Sequence, residues 1–101
     1  MYTVPSSPLT GTTGTFVDLE GPGGATIYQW QIEGTFDSAT AQLEIDDASG
    51  SGGVAVSGVT GIDGTGDLSG IVTIPCGRQV RLTASGGGAS QSLTLYLYPL
   101  R

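Results

Sequence analysis

The chain has 101 residues, and its nine acidic side chains against three arginines, with no lysine or histidine, give a formal net charge of −6. That length fits one domain, which buries about 60–70% of its unfolded surface and gains from association. The acidic balance argues against nucleic acid, and no run approaches the ~20 apolar residues of a spanning helix or forms a basic interfacial one, so no membrane partner is expected.

Eighteen glycines stand between the apolar runs without a G-X-Y period, which marks turns and excludes collagen. A single cysteine forms no internal disulfide, so stability must come from packing or partners. The first residues lack a charged-then-apolar leader pattern, and the expectation is a chain used without a cleaved signal.

Residues 1–14 read as an extended arm. Pro5 and Pro8 block helix there, and Tyr2, Val4 and Leu9 are isolated apolar residues that such an arm can lay on a neighbouring subunit. Residues 15–101 read as the folded domain. Thr15–Leu19 is a first strand, broken by Gly21-Pro22-Gly23-Gly24. Then Tyr28, Trp30, Ile32 and Phe36 alternate with Gln29, Gln31, Glu33 and Thr35, and after Asp37-Ser38-Ala39 the residues Ala41, Leu43 and Ile45 alternate with Thr40, Gln42 and Glu44. Period-two alternation marks half-buried strands, and the short polar break predicts a hairpin with Trp30 at the centre of the core.

Further strands are predicted at Val54–Val59, Leu68–Ile74, Arg78–Ala84 and Ser92–Tyr98, each bounded by glycine-rich loops. About seven strands and no helical spacing over three turns predict an all-β, small antiparallel β-sandwich, immunoglobulin-like or jelly-roll, two topologies the sequence leaves open. The last strand is unusual. Leu93, Leu95 and Leu97 share one face while Tyr96 and Tyr98 share the other, so Tyr96 and Tyr98 are expected to meet another subunit.

Reactive chemistry is sparse. Without histidine or lysine there is no ready general base, and Cys76 reads as a small half-buried residue at a strand end. Asp46-Asp47 and the Asp63–Asp67 cluster sit in glycine-rich loops, where solvated turn residues are the plain reading and calcium the alternative. The expectation is a chain that is not an enzyme and holds no cofactor or metal.

Two patterns resemble a known group. Trp30-x-x-x-Gly34-Thr35-Phe36-x-x-Ala39-Thr40-x-x-Leu43, followed by Ile74-Pro75-x-Gly77-x-x-Val80-Arg81-Leu82-x-x-Ser85-Gly86, resembles small virion proteins of tailed bacteriophages, most of all head decoration (cement) proteins. The likeness spans about residues 28–98. It implies a small β-sandwich, often a homotrimer, on the outer capsid surface, assembled in the host cytoplasm and clamping subunits of the major capsid protein. It brings no catalytic residues. A tail or head–tail junction subunit, and a receptor- or glycan-binding module of a virion fibre, are the alternatives.

Overall fold

The alternating runs become strands, but they do not pair in the order their proximity suggests. The computed structural model describes residues 2–19, 26–47, 52–75 and 78–100. Eight strands lie within them: β1 Tyr2–Leu9, β2 Val17–Asp18, β3 Ile27–Thr35, β4 Thr40–Asp46, β5 Gly53–Ala55, β6 Ser69–Thr73, β7 Gln79–Ser85 and β8 Ser92–Pro99. They form two four-stranded antiparallel sheets, ordered β1-β8-β3-β6 and β2-β7-β4-β5. The partners are nested: β1 with β8, β2 with β7, β3 with β6 and β4 with β5. A long antiparallel ribbon rolled over itself gives that pattern, which is the jelly-roll arrangement.

The predicted hairpin between β3 and β4 is therefore a corner instead. β3 ladders with β8 and β6, while β4 ladders with β7 and β5 in the other sheet. Asp37 and Ser38 both have positive φ, 49° and 71°, and the Ala39 amide donates to the Phe36 carbonyl at 2.8 Å. This tight turn swings the chain across the sandwich, and Ala39 is fully buried beneath it. The β7–β8 connection is fastened to the same corner. Gly88 N–H donates to the Asp37 carbonyl at 3.1 Å, and Ser90 N–H donates to Asp37 Oδ2 at 2.9 Å.

The inner faces are the predicted apolar rows. Trp30 stands opposite Leu97 and Ile32 opposite Leu95 in the first sheet. Ala41 faces Ala84, and Leu43 faces Leu82, in the second. All eight are buried, and Val59, Ile74 and Val80 close the core around them. The inward rows of both sheets belong to one buried cluster, closed at its margin by Val17, Phe36, Ile45 and Ile62. Gly70 serves this packing directly. It lies opposite Trp30 on the edge strand β6, and a Cβ there would stand 2.9 Å from the indole Nε1.

The N-terminal segment differs from its expectation. Residues 2–9 are not a separate arm but the edge strand of the first sheet, with Val4 opposite Leu95 and Leu9 opposite Leu93. Val4 and Leu9 are buried in the chain's own core, so neither offers a side chain to a neighbour. The cause is the free edge of β8, whose leucines need cover on that side. The register slips between Val4 and Leu9, the stretch holding Pro5 and Pro8, because prolines cannot donate to a ladder. Gln91, a buried polar side chain, holds this crossing in place: its Nε2 donates to the carbonyls of Leu9 at 3.3 Å and Gly11 at 2.8 Å.

Candidate interaction surface

The two outer faces of the sandwich differ in chemistry. On the second sheet, β4 and β7 put opposite charges side by side, since Glu44 and Arg81 are register partners. Arg81 Nη2 lies 2.9 Å from Glu44 Oε1, and its guanidinium carbon stands 4.6 Å from the Phe16 ring centre. Arg78 Nε lies 3.0 Å from Asp46 Oδ1, and Gln79 N–H donates to the same oxygen at 2.9 Å. The Arg78 hydrogen bond, helped by the Gln79 amide, holds the Asp46 carboxyl below the usual aspartate range despite opposing desolvation. Gln79 Nε2 also reaches Asp18 Oδ1 at 2.8 Å. Arg78 and Arg81 are thus both engaged by carboxylates of their own sheet.

The first sheet presents a different face. Its outward positions include Thr3, Gln29, Gln31, Ser69, Ile71, Thr94, Tyr96 and Tyr98, with Glu33 the carboxylate among its described residues. Register places Tyr98, Gln29 and Ile71 in one row across β8, β3 and β6, and Tyr96 beside Gln31 in the next. Tyr98 is 51% exposed and Ile71 63% exposed. Tyr96 is half-buried, flanked by Thr3 and Gln31, and a shallow dent lies among Gln29, Gln31, Tyr96 and Tyr98. Tyr96 and Tyr98 therefore point away from the core, as their parity requires. Tyr2 stands opposite Leu97 in the ladder, and its side chain lies outside the described residues.

Comparison with family models, with curated proteins and with solved structures finds no match to this chain.

A second feature lies at the free edge of β6. An open cleft of about 550 Å³ runs between Ser69, Gly70 and Ile71 on one side and the β5–β6 connection on the other, with Trp30 also in its wall. That connection is laced to β4: Ala41 and Ile62 exchange main-chain hydrogen bonds at 2.7 and 3.0 Å, and Leu43 N–H donates to the Val59 carbonyl at 2.9 Å. Asp63 and Asp67 line the cleft. The Thr65 hydroxyl and amide donate to Asp63 Oδ1 at 2.6 and 3.0 Å, which lowers the Asp63 pKa.

The calcium alternative concerned the loops of Asp46-Asp47 and of the Asp63–Asp67 cluster. Among the described residues, no three acidic or cysteine side chains meet in a way that would hold a metal ion. Cys76 and Gly77 lie outside the described residues. Sequence reasoning found the tyrosine face but not Ile71, which it placed in the predicted Leu68–Ile74 strand without assigning it a face. Of the cleft, the sequence marked only the glycine-rich Asp63–Asp67 cluster, and not the strand edge it faces.

Proposed function

We propose that this chain is a structural virion protein, a capsid decoration (cement) protein that binds the outer surface of a tailed-phage head and stabilises it by bridging subunits of the major capsid protein. The observation that supports this reading is the uncharged Tyr98–Gln29–Ile71 row, displayed on a rigid sheet of a chain whose net charge is −6. Such a row is where a second protein approaches with least repulsion and least desolvation cost. The resemblance in the Trp30–Leu43 and Ile74–Gly86 patterns points the same way.

Size argues for several copies acting together. A nine-residue strand spans about 30 Å and four strands about 15–20 Å, so the face is smaller than the ~800 Å² per partner of a standard interface. One copy would hold weakly. A homotrimer seated on a symmetric junction would hold by avidity.

The test is add-back to heads that lack the protein. Purified chain should bind them, raise their rupture threshold under heat or osmotic shock, and run as an oligomer in native mass measurements. Equal rupture thresholds with and without bound protein would sink the cement role. A receptor- or glycan-binding module is the second reading, and the open cleft lined by Asp63 and Asp67 is the observation in its favour.

A further inference from the structure

The four edge strands are not equally protected. β1 holds Pro5 and Pro8 and a register slip, β2 has two residues and β5 has three. Short strands and prolines are how sheet edges avoid pairing with other chains. β6 has neither device: its five residues, Ser69–Thr73, include no proline and no charge.

The hydrogen-bonding side of that edge follows from its ladder. Ile32 N–H donates to the Leu68 carbonyl at 2.8 Å, and Ile74 N–H donates to the Thr26 carbonyl at 2.8 Å. Antiparallel pairing alternates, so Gly70 and Val72 turn their main-chain groups toward β3 while Ser69, Ile71 and Thr73 turn theirs outward. No strand among the described residues pairs with β6 on that side. The outward edge borders the cleft, whose far wall is held by main-chain bonds to β4.

We propose that the β6 edge and its cleft form a strand-accepting groove for an extended segment of a partner chain carrying lysine or arginine. The segment would add as a fifth strand, making about six main-chain hydrogen bonds to Ser69, Ile71 and Thr73. Its basic side chains would meet Asp63 and Asp67, beside which no arginine lines the cleft among the described residues. The same carboxylates disfavour a second copy of this chain at β6, because twofold pairing there brings two acidic loops together. A sugar fits less well: Trp30 is 4% exposed, so its ring face is closed to stacking. The groove is independent of the decoration role.

The probe is a labelled peptide, acetyl-Thr-Val-Lys-Val-Lys-Val-Thr-amide, whose two lysines share one face of an extended strand, titrated into the whole chain by fluorescence anisotropy, with amide hydrogen exchange as the second readout. Saturable binding below about 1 mM is expected, with exchange slowed about tenfold at Ser69, Ile71 and Thr73. Replacing both lysines with glutamate should weaken binding at least about tenfold, as should added salt. Ile71→Pro removes an outward N–H without touching the β3 ladder, and should abolish binding while the urea midpoint holds. If that variant does not fold, a peptide N-methylated at alternate residues gives the same test on the natural chain. Equal binding by the N-methylated peptide overturns the proposal, as does no peptide binding. A Trp30 fluorescence response to oligosaccharides without one to peptide also overturns it, and assigns the cleft to glycans.

Discussion

Gly70→Ala tests the packing that joins the core to the β6 edge. A methyl group at Gly70 would stand 2.9 Å from Trp30 Nε1, 3.2 Å from Cε2 and 3.3 Å from Cζ2. These are atoms of one rigid ring, and Trp30 is buried, so the clash cannot be relieved by a flexible tip. Overpacking of this kind costs about 1–3 kcal/mol. Removing glycine from a strand returns about 0.5–1 kcal/mol. The net expectation is about 1–2 kcal/mol of destabilisation, or a Tm lower by roughly 5–15 °C for a domain of this size. Thermal and urea unfolding followed by tryptophan fluorescence would measure it. The double mutant with Trp30→Phe sharpens the test, because the smaller ring gives up the indole edge and the Gly70→Ala penalty should shrink by half or more. An unchanged or raised Tm for Gly70→Ala alone would refute the account of Gly70 as a seat for the indole.

Three further outcomes are expected. Gln91→Leu should cost about 1–3 kcal/mol in urea unfolding, since it leaves the Leu9 and Gly11 carbonyls without their donor and loosens the β1–β2 crossing. Stability should fall as pH drops below the ordinary aspartate range, because the lowered pKa of Asp46 makes its contribution complete above the unfolded value and lost as pH falls through the folded one; Arg78→Gln should flatten that acid limb in a pH series of urea midpoints. Tyr98→Ser combined with Ile71→Ser should leave monomer stability within about 1 kcal/mol, since both side chains are largely exposed, yet lower co-sedimentation with heads that lack the protein by at least about tenfold.

Much of the layout is legible in residue types. Alternation in β3, β4, β7 and β8 states which side chains turn inward, so Trp30, Leu43, Leu82 and Leu95 were readable as core and Tyr96 and Tyr98 as outward. Alternation does not state which strand lies alongside. Asp37-Ser38 suits either a hairpin turn or a corner, and the choice is made by β7 and β8, which are far along the chain and match β4 and β3 over longer ladders. β1 escaped notice for a related reason. Its slip between Val4 and Leu9 breaks the period that would have marked both as inward. The groove at β6 depends on backbone direction and on a loop tied to β4, neither of which leaves a trace in side-chain chemistry.

The position of β8 bears on how the molecule is made. It is the last of the eight strands to leave the ribosome, yet it fills an interior place between β1 and β3. Until Pro99 has emerged, the hydrophobic rows of β1 and β3 have no common partner, and the sandwich lacks one wall. Folding must therefore wait for nearly the whole domain, and synthesis proceeds with Trp30 and its neighbours uncovered. That hazard recurs at every round of translation, where neighbouring nascent chains that both lack β8 expose the same uncovered rows.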